Sequence, residues 1–202
     1  MIDWDGTVTE TDTLHLVIER FGDLDVFRAM EADIEELTLR EVIGREMETV
    51  KVPAQEVVGW LLENVRIRPG FAELVAGYDP LIVSAGFHEL IDPVLAREGI
   101  EARVVVNHVT ADTAGWRAVF PEADACVVCG EVCKRAVTSA LGPFAFVGDG
   151  VSDRCVSLAA ERRFARDGLA RWLEQRGEPY EPFDDFGDVI ASLTGDRVSR
   201  PA

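Results

Sequence analysis

From Asp12 to Arg68 the apolar residues recur at helical spacing and do not alternate: Leu14, Val17, Ile18 and Phe21, then Ile34 and Leu37, then Val42, Ile43, Met47 and Val50. The stretch reads as a run of short amphipathic helices. Thr38 and Glu41 have capping-box spacing ahead of Val42 and Ile43, and Pro53 opens a further helix whose Val57, Val58, Leu61, Leu62 and Val65 return every three or four residues. The helical unit is expected to end near Arg68-Pro69-Gly70.

Beyond Gly70 short β-rich runs alternate with helical stretches, the sequence signature of a parallel α/β sheet. Leu81-Ile82-Val83, Val104-Val105-Val106 and Phe144-Ala145-Phe146-Val147 are the expected buried strands. Helices are expected over residues 88–97, 131–141, 152–160, 167–176 and 185–193, several closed by glycine, as at Gly99, Gly142, Gly177 and Gly195. The irregular spacing around Gly115 and Trp116 reads as a hairpin or loop excursion. Residues 1–11 and 69–195 therefore form an α/β core, residues 12–68 an inserted helical unit and residues 196–202 a frayed tail.

Composition narrows the classes of function. The 202 residues carry 37 acidic and 20 basic side chains, a formal charge of −17, which repels nucleic acid and anionic membrane surfaces. No apolar run approaches the ~18 residues of a membrane helix, and Met1-Ile2-Asp3-Trp4-Asp5 lacks the regions of a signal peptide. With no such signal, Cys126, Cys129, Cys133 and Cys155 favour reduced thiols in a cytoplasm over a disulfide scaffold.

Chemistry enters at Asp3-Trp4-Asp5-Gly6-Thr7-Val8-Thr9, where two carboxylates precede a glycine turn and hydroxyls. Alone, such an acid pair in so acidic a chain reads first as solvated loop residues. A second acidic loop follows the apolar run at Phe146-Val147-Gly148-Asp149-Gly150-Val151-Ser152-Asp153, and parallel sheets gather their sites at the carboxyl ends of strands. Carboxylates converging there need a cation, and hard oxygen donors without a nearby histidine point to Mg²⁺. Ser84 follows a strand, and of the two lysines only Lys134 lies outside the helical insert. Both suit a phosphoryl group, although a strand-end serine and a surface lysine are the plain alternatives.

In this order and spacing the four motifs resemble the haloacid dehalogenase superfamily, and within it the phosphoserine-phosphatase-like branch. The resemblance implies a Rossmann-like parallel sheet with a helical cap at residues 12–68. It implies Asp3 as nucleophile and Asp5 as general acid and base. It further implies Mg²⁺ on Asp3, Asp149 and the Asp5 backbone carbonyl, with Asp153 holding a metal water or Lys134. Gly6, Thr7, Ser84, Gly86 and Lys134 would bind the phosphate. A narrower similarity lies to the methionine-salvage phosphatases of 2-hydroxy-3-keto-5-methylthiopentenyl-1-phosphate. It is carried by residues 3–12, Val65 to Phe71, Asn107-His108, Cys129 to Lys134, Phe164 to Asp167 and Pro182 to Phe186. Phosphoserine and phosphocholine phosphatases share the catalytic set and fewer of these flanks.

The chain departs from the family pattern in three places. Trp4 stands for the commoner phenylalanine, and Ala85 for a second glycine. Only two residues precede Asp3, so the first strand is expected to be short and the natural start to lie upstream.

The expected activity is Mg²⁺-dependent hydrolysis of a small phosphate monoester. The alternatives of another class are a non-enzymatic phosphate sensor and an interaction protein. Among weaker features, Arg45 on the insert could contact substrate or simply be an exposed helix arginine. The C-x2-C-x3-C run could bind zinc with Cys155 or His108, but buried thiols that pack as small hydrophobes are the preferred reading.

Overall fold

A computed structural model describes residues 1–32 and 37–199; Ile34, one of the expected helical positions, lies outside them. Four helices fill the first third: α1 (Thr13–Phe21), α2 (Leu24–Ala32), α3 (Leu39–Glu48) and α4 (Ala54–Asn64). The capping box forms as expected, with the Glu41 N–H donating to Thr38 Oγ1 at 3.3 Å and the Thr38 N–H to Glu41 Oε2 at 2.8 Å. Pro53, with no hydrogen to donate, is the N-cap of α4. The apolar faces of these helices, including Val17, Ile18, Ile43, Met47, Val57 and Leu61, are buried in one cluster that continues into the sheet.

The remainder runs α5 (Phe71–Tyr78), β1 (Leu81–Phe87), α6 (His88–Arg97), β2 (Arg103–Thr110), β3 (Arg117–Val119), a 3₁₀ helix (Lys134–Ala140) and β4 (Ala145–Gly148). There follow a 3₁₀ turn (Val151–Asp153), α7 (Arg154–Ser157), β5 (Arg162–Ala165), α8 (Asp167–Arg176), β6 (Glu181–Pro182) and α9 (Phe186–Ser199). β1 pairs in parallel with β2, β4 with β5 and β5 with β6; β3 returns antiparallel on β2. Residues 1–3 join the two halves. Ile2 bridges in parallel to Ile82 and to Val147, and the Asp3 N–H donates to the Val147 carbonyl at 3.0 Å. The order across the sheet is thus β3-β2-β1-(1–3)-β4-β5-β6, a Rossmann-like α/β sheet whose first strand is as short as expected.

Side-chain alternation covers both faces of this sheet. Phe146 and Ala165 pack with Val156, Leu169 and Leu173 on one side, while Val147 and Phe164 join the larger cluster on the other. Each fully buried side chain of this size contributes roughly 1.5–3 kcal/mol of transfer free energy.

Several boundaries differ from the sequence reading. Val104–Val106 lies in a strand that is only partly buried, with Val105 42% exposed, because that residue faces an open cavity. β5 escapes the pattern because Arg162 and Arg163 head it; Arg162 satisfies its charge on Glu181 of β6 at 2.7 Å. The helix expected over 131–141 begins only at Lys134, after residues 126–130 have turned back on themselves through a bond from the Gly130 N–H to the Cys126 carbonyl. The one expected over 152–160 is a 3₁₀ turn and a single helical turn. Gly195 closes nothing: α9 continues to Ser199, so the expected tail begins as helix, and residues 200–202 lie outside the described residues. The excursion around Gly115 is a hairpin, and the buried Trp116 donates from Nε1 to the Val52 carbonyl at 2.8 Å, tying it to the helical segment.

Candidate active site

The carboxyl ends of residues 1–3, β1 and β4 open on one point. Asp3 leaves the central strand, and its Oδ1 accepts the Trp4 N–H at 2.7 Å and faces Lys134 Nζ at 2.5 Å. Lys134 also reaches Asp153 Oδ1 at 2.7 Å. The second oxygen of Asp153 accepts the N–H groups of Asp149 and Gly150 at 2.9 and 3.0 Å. Both oxygens of this fully buried carboxylate are therefore engaged, and its direct partner is the lysine. Asp149, one residue past β4, accepts the Thr7 hydroxyl at 2.6 Å.

The loop that carries these groups is tightly determined. Gly6 has φ +72°, and a Cβ there would stand 2.4 Å from Asp149 Oδ2, so both the backbone conformation and the close approach require glycine. Arg68 holds the loop from behind. Its buried guanidinium donates to the carbonyls of Thr7 and Gly6 at 2.8 Å each, of Thr9 at 3.3 Å and of Asp184 at 3.2 Å. In the sequence Arg68 marks the end of the helical unit and falls within the Val65–Phe71 stretch of the narrower similarity, with no role of its own at the site. Its signal was a charged residue just before Pro69-Gly70 at a chain crossing.

Asp5 points to the start of α1. Its Oδ1 accepts the Thr13 N–H at 2.9 Å and also the Thr13 hydroxyl, and Ser84 Oγ approaches its Oδ2 at 3.4 Å. Burial, reinforced by Asp12 and opposed by the Thr13 bonds, pushes Asp5 up to about 7. Thr13 too was missed, although Asp12-Thr13 ahead of the apolar face is a legible helix start. Burial also raises Asp149 to about 6. Asp3 is held well above the usual carboxyl range by burial and by Asp153, with Lys134 opposing.

Not every expected phosphate donor stands free. The Thr7 proton is committed to Asp149, the Gly6 N–H leans on Thr9 Oγ1 at 3.3 Å, and the Gly86 N–H donates to Ser84 Oγ at 2.9 Å. Ser84 and Lys134 border a cavity of about 580 Å³. Its walls are largely apolar, with Ile43 from α3, Val105 and Val106 from β2, then Phe120, Val132 and Val137. Arg45 is exposed and lies outside these walls; it sits one turn from Glu41, whose carboxyl is drawn below the usual range first by the Thr38 bonds and only lastly by Arg45. Arg40 lines the cavity instead, donating to the Pro121 carbonyl at 3.1 Å.

The donor set fits a hard divalent cation. Asp3, Asp149 and Asp153 each offer a carboxylate oxygen within 4.8 Å of the others, and one lysine cannot offset three such charges.

A curated relative from Geobacillus thermodenitrificans, named 2-hydroxy-3-keto-5-methylthiopentenyl-1-phosphate phosphatase, is 28% identical over 95% of this chain and 93% of its own. A protein of the same name from Microcystis aeruginosa is 29% identical over 93% of each chain. Among solved structures, phosphoserine phosphatase from T. onnurineus shares the fold with a TM-score of 0.65 at 14% identity, over 95% of this chain and 92% of that one. Among the described residues no helix is long and apolar enough to cross a membrane. The family model for haloacid dehalogenase-like hydrolases matches residues 1–157, which span the acidic loops, Ser84 and Lys134 alike, and the chain belongs to that family.

Proposed function

We propose that this protein is a Mg²⁺-dependent phosphomonoesterase that works through an aspartyl-phosphate on Asp3, with the helical segment 12–68 as its cap. The observation that carries the reading is the pairing of Asp3, which faces Lys134 Nζ at 2.5 Å at the end of the central strand, with a second carboxyl, Asp5, raised to about 7. Asp3 attacks phosphorus in line while protonated Asp5 gives its proton to the leaving alkoxide. Asp5, now a base, then takes a proton from the water that hydrolyses the acyl phosphate. A group titrating near neutrality serves both halves of this cycle.

Lys134, Ser84 and the N–H groups of the Gly6 and Gly86 turns bind the phosphoryl oxygens, the last two by exchanging their internal partners for substrate. Thr7 orients Asp149, and Asp153 orients Lys134. Asp3, Asp149 and the Asp5 carbonyl would hold Mg²⁺, which when bound supplies the positive charge that three carboxylates and a phosphate require. The net charge of −17 is thus reversed in sign at the point where an anionic substrate must dock.

The cavity favours a substrate with an apolar arm. Ile43, Val105, Val106 and Phe120 suit a methylthio chain better than the charged ammonium of phosphoserine or phosphocholine, so the methionine-salvage enol phosphate named for the relatives is the first ester to test. Ile43 and Arg40 reach this cavity from α3, which supports the cap role of that segment. Turnover of a phosphate-ester panel is expected with Mg²⁺ and to vanish in EDTA or in Asp3→Asn. Activity that survives either would overturn the mechanism, and a preference for phosphoserine would overturn the substrate.

A further inference from the structure

The four cysteines lie apart in sequence, three within residues 126–133 and one at 155, yet their sulfur atoms all fall within 4.8 Å of one another. Cys126 Sγ and Cys155 Sγ are 3.8 Å apart. Four thiolates on a tetrahedral ion with bonds of about 2.3 Å have sulfur–sulfur edges of about 3.8 Å, whereas a disulfide needs about 2.05 Å. The spacing therefore matches a shared central ion better than a pair of crosslinks.

Backbone geometry points the same way. Residues 126–130 read Cys-Val-Val-Cys-Gly, and the Val128 N–H donates to Cys126 Sγ at 3.5 Å. The turn closes through the Gly130 N–H, which donates to the Cys126 carbonyl at 2.7 Å, with Gly130 at φ +80°, where a side chain is strained. An N–H aimed at sulfur stabilises thiolate over thiol, the form a metal takes. Four thiolates and one divalent ion sum to −2, and Arg135, whose Nη1 bonds the Cys155 carbonyl at 3.3 Å, brings a positive charge to that side.

We propose that Cys126, Cys129, Cys133 and Cys155 form a structural tetrathiolate site for Zn²⁺, separate from the carboxylate site. This replaces the reading of the cysteines as packed free thiols. All-sulfur tetrahedral donors select zinc over the hard cation suited to the aspartates. The location gives the ion a task. Cys133 directly precedes Lys134, and Cys155 lies two residues after Asp153, so one ion ties together the two loops whose side chains meet in the 2.7 Å Lys134–Asp153 pair.

The test is metal analysis of the full chain purified under reducing conditions with Zn²⁺ in the growth medium. About one Zn²⁺ per chain is expected, resistant to brief treatment with EDTA and released by a thiol-blocking organomercurial. Exchange with Co²⁺ is expected to give the intense sulfur-to-metal charge-transfer bands and visible d–d bands of a tetrahedral thiolate complex. This readout needs no variant and no catalysis. Cys126→Ser and Cys155→Ser should each lower retained zinc severalfold, while Asp149→Asn should leave it unchanged. Wild-type protein that folds with four alkylatable thiols and no zinc, that carries two disulfides by mass spectrometry, or that binds iron instead would overturn the proposal.

Discussion

Asp5 owes its behaviour to its surroundings at atomic range. Asn at this position can neither yield the proton nor take one from water, so Asp5→Asn should cut kcat by about 100-fold or more. With p-nitrophenyl phosphate, whose leaving group needs no proton, the variant should accumulate phosphorylated protein detectable by intact mass. Arg68 shows a different economy, one guanidinium meeting four carbonyls. Its loss leaves buried acceptors unpaired, so Arg68→Met should cost about 2–4 kcal/mol in chemical denaturation and lower kcat more than it raises KM. Arg68→Lys should not restore either, because an ammonium lacks the planar fork. The acids, Ser84 and Lys134 were legible in sequence as residue types in motif order. Arg68 and Thr13 were not, because they act on backbone carbonyls and on a carboxylate brought near only by the chain crossing.

At the scale of elements, α1 is more than cover for the sheet. Its first turn receives Asp5, and the Thr13 N–H and hydroxyl both stabilise the ionised form. Thr13→Val removes the hydroxyl bond and keeps the shape, so the pKa of Asp5 should rise. The alkaline limb of kcat/KM for an alkyl phosphate is then expected to move to higher pH, a shift that a merely loosened helix would not produce. α1, α3 and α4 were readable because a 3.6-residue period survives in sequence wherever one face is buried; α2 carries none of the named periodic positions. β5 and β6 were not readable, since a four-residue strand headed by two arginines and a two-residue strand carry no period; pairing alone makes them strands.

For the whole molecule, the site is a source of instability as well as function. Asp5 and Asp149 have folded values of about 7 and about 6 against an ordinary 3.8. Their folded forms hold protons that the unfolded chain has already released. Their stabilising contribution is therefore complete below pH 3.8 and is lost as pH rises through 6 and 7. In EDTA, Tm should fall between pH 5 and 8 from this source, and Mg²⁺ at pH 8 should raise it by binding the folded state alone. Asp5→Asn should raise Tm at pH 8 in EDTA, measured by scanning calorimetry, while cutting kcat by the same factor of about 100 or more, a separation of stability from activity.

The sequence by itself determined the class of fold, the helical character of residues 13–64, the acidic loops after residues 1–3 and β4, and the types of group available for chemistry. These are local properties: periodicity, turn residues and motif spacing are written along one dimension. Only the tertiary structure decided which groups meet. Crossing connections in the sheet brought Asp3 beside Lys134, committed the Thr7 proton to Asp149, left Arg45 outside the cavity that Arg40 lines, and gathered Cys155 to three cysteines more than twenty residues before it. Distance in the chain carries no information about such meetings, because they are set by strand order and by burial shared among elements far apart in sequence.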